Sequence, residues 1–335
     1  MTDTGLETRS AEPLPHTYRV TKYDPADRDE NGAYTGSEDS VSDHAQVETA
    51  YLAAFAAFAE DAGVDHVLLR EPAVAAFFNF GPEPNIDGHG LRGLFPEDLS
   101  GYHDGAAVSL DVARELLRGM LRDHGAWCCL EVEGRFTAHV GYDQYLYLAS
   151  SAPPDRALSC IESSGLFAER INESPYLFQY DDQPARAADR TFWDEVEELV
   201  TSRGPLMLEE AFVQNASRWH QLTAGRIEQV RAGLTPRSRL LLWPAPSTDL
   251  RAVRRDLRRA LRDGFAHVVS EGHDGVLTDR HLFRRREVKA ALTGVRAARP
   301  MPVTVDEDRP LVTAVLPDAD GVVRARWTPS IEAAS

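Results

Sequence analysis

Arg251, Arg254, Arg255, Arg258, Arg259 and Arg262 stand three and four residues apart in the run LRAVRRDLRRALR. On a helix that spacing lines the guanidiniums along one side and leaves Leu250, Val253, Leu257 and Leu261 for the other. A nucleic-acid phosphate backbone is one partner for such a stripe, and Arg284, Arg285 and Arg286 extend the basic block. Two plainer outcomes compete: docking on the acidic part of the same chain, or a solvated helix face.

A second set of candidates lies in Gly125–Ser150, GAWCCLEVEGRFTAHVGYDQYLYLAS. Trp127, Arg135, His139, Tyr145 and Tyr147 fall on one side of its alternation, where rings and a guanidinium can stack on unpaired bases. The competing outcome is a face covered by a helix or by the rest of the chain. The window RFTAHVGY matches the RNA-recognition pattern at Arg135, Ala138, Val140 and Tyr142. It lacks the glycine and carries Thr137 and His139 in place of the central aromatics.

Metal-ligating types occur at Asp87, His89, His103 and Asp104. Each has a glycine within two positions, so turn chemistry is the simpler explanation. His103-Asp104-Gly105 and His273-Asp274-Gly275 share the His-Asp pair of one hydrolase class, yet the glycines point to turns rather than helices. Glu197-Glu198 and Glu209-Glu210 read as solvated helix faces rather than acid/base pairs. No nucleophile elbow, Walker loop or dinucleotide fingerprint is present. No catalytic residue and no cofactor are therefore assigned.

The elements that must hold these residues follow from periodicity. Even positions from Phe136 to Leu148 are mostly apolar, so the stretch reads as a hairpin with one long outgoing strand. A three-residue loop Val132-Glu133-Gly134 would set Glu131 opposite Arg135, Leu130 opposite Phe136, Cys128 opposite Ala138 and Trp127 opposite His139. Before it lie a strand at 17–23, a helix at 44–62 capped by Asp43, a strand at 64–70, an irregular insertion at 71–105 and a helix at 110–123 capped by Ser109. After it come a helix at 154–164 and a strand at 167–171. The second half carries a helix at 190–202, a short strand at 206–209 and a longer helix at 214–232 containing Trp219. A strand at 239–243, the basic helix and a hairpin of 265–270 with 276–279 around 272–275 follow. The chain ends in a helix at 283–297, a strand at 301–306 and a hairpin pairing 311–316 with 322–327.

Strand, helix, strand, strand, helix, strand thus occurs twice, which predicts an α+β chain of two ferredoxin-like βαββαβ units with mainly antiparallel sheets. The first unit has an extra N-terminal strand and helix and the long insertion. The expected divisions are a disordered tail at 1–15, an acidic α+β domain at 16–186, a helical connector at 187–236, a C-terminal α+β domain at 237–329 and a tail at 330–335.

The formal net charge is −17, unevenly spread. Residues 1–236 hold 18 basic and 40 acidic side chains, whereas 237–299 hold 15 basic and 7 acidic. No apolar run approaches membrane-spanning length, and the start has no secretion signal. Cys128, Cys129 and Cys160 form no CxxC pair, so a cytoplasmic location is expected.

Tyr18–Ser42, Gly81–Leu99, the Gly125–Tyr147 stretch and the tail LVTAVLPDADGVVRARW resemble an uncharacterised actinobacterial (Streptomyces-type) family often labelled RNA-binding proteins. The likeness spans nearly the whole chain and implies RNA as partner, without assigning residues. The leading expectation is a non-catalytic binding protein for RNA, using the hairpin face and the arginine stripe. A protein-interaction or immunity role through the acidic surface is one alternative, with a basic protein as partner. A metal-dependent enzyme built on the insertion is the other.

Overall fold

The computed structural model describes residues 13–31, 33–36, 45–74, 90–141, 144–175, 186–262, 264–302 and 309–324. The chain divides into two compact units, residues 1–182 with 213–215, and residues 183–212 with 216–335. Both are α+β, and among the described residues no helix is long and apolar enough to cross a membrane.

The first unit contains β1 (His16–Thr21), α1 (Gln46–Asp61), β2 (His66–Val74), β3 (Ala107–Ser109), α2 (Leu110–Leu121), β4 (Ala126–Val132), β5 (Phe136–Val140), β6 (Leu146–Ser150), α3 (Asp155–Ser163) and β7 (Phe167–Ile171). Its seven strands form one antiparallel sheet in the order β3-β2-β4-β5-β6-β1-β7. Alternation decides its core. Val20, Val67, Leu69, Leu130, Phe136, Ala138 and Leu148 are fully buried beside Phe55 and Phe58 of α1 and Leu116, Leu117 and Met120 of α2. Phe55 meets Phe136 edge to face at 5.8 Å between centroids.

Helix ends follow local chemistry. Ser109 caps α2 as expected, accepting from the Val112 amide. Gly63 takes φ +62 just past α1, with the Gly63 and Val64 amides returning to Glu60 and Ala59. Ala45, with no side-chain cap bond, precedes α1, and the expected cap Asp43 lies outside the described residues.

Three expectations are corrected here. The long outgoing strand of the hairpin is two strands, β5 and β6, so 126–150 is a meander. The β4–β5 register pairs Leu130 with Ala138 and Val132 with Phe136, with Glu133-Gly134-Arg135 as the loop. Loop length matches expectation but its place shifts by one residue, which leaves the same side chains on the core face. The expected run of strands also fails to close into a ferredoxin-like sheet, because β2, β4, β5 and β6 lie side by side in chain order.

The second unit contains α4 (Arg190–Arg203), β8 (Leu206–Val213), β9 (Ala216–Leu222), α5 (Ile227–Ala232), β10 (Arg239–Pro244), α6 (Leu250–Ala260), β11 (Ala266–Gly272), β12 (Leu277–Leu282), α7 (Glu287–Ala291), β13 (Val295–Met301) and β14 (Val312–Val315). A four-stranded sheet runs β14-β10-β8-β9 and a three-stranded sheet β12-β11-β13. Here too the ferredoxin-like expectation is replaced: β10 pairs in one sheet while β11 to β13 form another. The helix expected at 214–232 is instead β9 and α5, with Asn215 at φ +66 turning the β8–β9 hairpin. The helix expected at 283–297 shortens to α7, and the strand expected at 301–306 sits earlier, as β13. Residues 325–327 of the last expected strand lie outside the described residues.

Each face of the three-stranded sheet has its own core. Ala266, Val268, Leu282 and Ala298 pack against Val253 and Leu257 of α6 and Val288 and Ala291 of α7. Val269, Leu277 and Met301, on the opposite face, pack against Met207, Ala211, Leu241 and Trp243.

The polar interior of this unit centres on Glu210, which is fully buried. It accepts from the Thr235 amide at 2.7 Å and from His220 Nε2 at 2.7 Å. Trp243 Nε1 and Ser217 Oγ donate to Glu209. Glu209-Glu210 is thus a strand pair holding loops and an indole, not the solvated helix face expected, whereas Glu197 and Glu198 are exposed on α4. Burial pushes the Glu210 carboxyl up, but the His220 and Thr235 hydrogen bonds outweigh it and hold the group below its ordinary value. A carboxyl depressed on folding contributes stability above the unfolded pKa of about 4.3, lost as pH falls through the folded value. Acid unfolding of Glu210→Gln is therefore expected to show a shallower pH dependence below pH about 4.5 than the parent. Parallel acid limbs in thermal melts would refute this.

Candidate functional site

Helix α6 is built to present arginine. Asp249 caps its first turn, accepting from the Arg251 and Ala252 amides. Val253 and Leu257 fix one side against the sheet, so the opposite side must face water. There Arg251, Arg254, Arg255, Arg258, Arg259 and Arg262 are all exposed. With Arg285 and Asp256 they line one groove of about 640 Å³. Among the described residues the one ion pair made by these seven arginines joins Arg255 to Asp256 at 3.6 Å, with Arg255 three-quarters exposed.

This arrangement is costly. The five arginines of α6 make five like-charge contacts at three- and four-residue spacing, each opposing the helix by about 0.2–0.5 kcal/mol. A merely solvated face has no reason to accept that repulsion, since alternating signs would remove it. Arg258 and Arg259 gain a little from the helix C-terminus, the others nothing. Each guanidinium offers a planar fork of donors that matches phosphate oxygens. At 1.5 Å per residue the 11-residue helix repeats these forks over about 16 Å, longer than one phosphate needs.

The hairpin face fares differently. Tyr147 and His139 pair across β6 and β5 and are buried, at 4% and 5% exposure. Trp127 is half-buried with its ring 5.3 Å from His139. Tyr145 is half-buried, with the Arg19 and Arg28 guanidiniums over its ring at 5.8 and 5.3 Å and Tyr23 at its edge. Arg135 sits in the turn, and its Nη2 donates to the Ala62 and Gly63 carbonyls at 2.8 Å, closing the end of α1. The expected docking surface of Trp127, Arg135, His139, Tyr145 and Tyr147 is therefore not an open one. Alternation separated the two faces correctly but carries no information on whether the second is covered, and Tyr and His tolerate burial.

The insertion candidates separate as well. Asp87 and His89 lie outside the described residues, as does Tyr142 of the RFTAHVGY window. Asp104 is buried, bonded to Arg70 Nη1 at 3.1 Å and to the Glu71 amide at 3.0 Å. Arg70 Nε also approaches Glu131 at 3.0 Å, as an ion pair off the hydrogen-bond line. His103 Nδ1 lies 2.9 Å from the Asp104 carbonyl oxygen. Asp104 is thus committed to closing its loop. His273 and Asp274 sit in the β11–β12 turn, where Asp274 accepts from Val276.

One cluster had no place in the sequence reading. His267 and His281 lie opposite each other on β11 and β12 with rings stacked at 4.4 Å and 6° apart. His267 Nε2 meets Asp279 Oδ2 at 2.9 Å. Burial first, then the facing His267, push the His281 imidazole below its ordinary value, with Asp279 opposing. Trp219 borders His267 and Phe265 borders His281, each at 6.2 Å between ring centroids. The shared parity of Phe265, His267, Asp279, His281 and Phe283 was the available signal.

Fold and site together define an α+β protein that displays an arginine-lined groove on one side of a small sheet and a His-Asp-His cluster on the other. No protein-family model matches the chain, and no curated protein or solved structure is similar to it.

Proposed function

We propose that this protein is a non-catalytic binder of single-stranded RNA and that the α6 groove holds the phosphate backbone. The observation that carries the reading is the set of seven arginines converging on one groove, with a single weak ion pair made by them among the described residues. Phe283, 67% exposed, precedes Arg284 in the chain, and its ring lies 6.3 Å from the exposed Phe265 ring; the pair belongs to the sheet face opposite α6, so the groove itself offers phosphate contacts rather than base stacking. A cytoplasmic setting belongs to this proposal, in keeping with Cys128, Cys129 and Cys160 forming no disulfide.

The strongly acidic remainder of the chain repels a polyanion at distance, which makes association slow rather than impossible. Contact at the groove acts over a Debye length of about 10 Å at 0.1 M salt, short enough for the local arginines to dominate. The test is a fluorescence-anisotropy titration of the full chain into a labelled single-stranded RNA at 50 mM salt. Saturable binding in the micromolar range or tighter is expected. No binding at that concentration, or retention of a protein partner that survives nuclease while RNA is ignored, would overturn the reading.

A further inference from the structure

We propose that His267, Asp279 and His281 form a binding site for a divalent transition-metal ion of the zinc class. The three side chains each offer one ligand atom, and these atoms lie within 4.8 Å of one another. Two imidazoles and a carboxylate are a donor set that suits zinc, cobalt or nickel, and three protein ligands leave a position for water or a ligand atom.

Backbone register, not loop geometry, brings them together. His267 stands directly across from His281, and Asp279, two residues earlier on β12, points to the same face and lies diagonal to His267. Sites carried on strands hold their geometry better than sites on loops. Bonds of about 2.0–2.1 Å to a tetrahedral ion place ligand atoms about 3.3 Å apart. His267 and Asp279, at 2.9 Å, are already slightly closer than that, and modest ring rotations bring His281 into range.

Internal pairing does not account for the whole cluster. Among the described residues neither ring nitrogen of His281 has a hydrogen-bond partner, although the ring is held by stacking on His267. His281 is exposed and the Asp279 side chain is one-third exposed, so an ion can enter from solvent. Trp219 and Phe265 wall the two sides and restrict the approach of larger groups. This site is independent of the arginine groove, since α6 packs on the opposite face of the same sheet.

The experiment uses the full chain without an added histidine tag, stripped with a chelator and titrated with Co²⁺ by visible absorption and with Zn²⁺ by calorimetry. One equivalent of each is expected, with the intense visible bands of four-coordinate cobalt. His281→Ala, an exposed position that leaves both sheet cores intact, is expected to weaken binding at least about 100-fold, and Asp279→Asn at least about tenfold. His273→Ala, in the neighbouring turn, is expected to change nothing. Absence of binding at 100-fold excess over protein, on the order of 1 mM ion, would overturn the proposal. So would stoichiometric binding that persists in the His267→Ala/His281→Ala double variant, which would place the ion elsewhere. Should that variant fail to fold by circular dichroism, His281→Ala alone decides.

Discussion

The combined variant Arg251→Ala/Arg254→Ala/Arg258→Ala/Arg259→Ala is expected to bind single-stranded RNA about a thousandfold more weakly than the parent at 50 mM salt. Each phosphate neutralised on a single strand releases about 0.7 counterion, which amounts to about 0.9 decade of affinity per contact at that salt. Four contacts removed together therefore account for somewhat more than three decades. The same variant is expected to be as stable as the parent or slightly more so. Alanine has the better helix propensity, and the like-charge contacts within α6 disappear. That pairing of outcomes distinguishes a binding role from a structural one. Arginines docked on acidic parts of the chain would lose stability when replaced, and arginines that are only solvated would leave RNA affinity unchanged.

The second large effect is expected at Arg70, far from any proposed contact with ligand. Its guanidinium lies between Asp104 and Glu131, at 3.1 and 3.0 Å, and all three side chains are at most 8% exposed. Removing one member of such a buried group costs about 3–5 kcal/mol, because the remaining charges lose their compensation in a poorly solvated place. Arg70→Met should therefore lower the melting temperature of the first unit by roughly 10 °C, taking about 2–4 °C per kcal/mol for a unit of this size. Replacing the partners as well, in Arg70→Met/Asp104→Asn/Glu131→Gln, should recover part of that loss. A single variant that melts with the parent would contradict the reading of this triad, as would a triple variant worse than the single. Because Asp104 anchors the chain after the long insertion, limited proteolysis within 90–105 should accelerate in step.

How much of this was legible in the sequence depends on what each signal encodes. The basic helix was readable because amphipathic spacing acts locally, and it survives in α6. The even-position pattern through 136–148 was read as one strand because the β5–β6 loop preserves parity. Phe136, Ala138, Val140, Leu146 and Leu148 all stay on the core face although the chain reverses between them. Gly141 and Asp143 were the available turn signals. Trp219 was placed on a helix because its apolar neighbours fit a helical period, whereas SRWHQL fits a period of two equally well.

The His-Asp-His cluster was missed because the second strand of its hairpin was expected to end at Asp279, which left His281 outside it, whereas β12 runs on to Leu282. The structure pairs Glu271 with Leu277, which brings His267 across from His281. Whether the meander's second face is open was beyond any local signal, since the burial of His139 and Tyr147 depends on what the whole chain lays over it. The grouping of β10 with β8 and β14, rather than with β11, is likewise a long-range choice of partner strands.

The most direct test of the central claim is the salt dependence of RNA binding by the full-length protein. The five arginines of α6 and Arg262 just beyond it, engaging a single strand, give a slope of about −4 for log affinity against log salt, and a loss of about 300-fold between 50 and 200 mM. A line of that slope, flattened in the four-arginine variant, is the expected result. Affinity indifferent to salt, or a slope unchanged by the substitutions, would contradict the assignment of the groove to RNA.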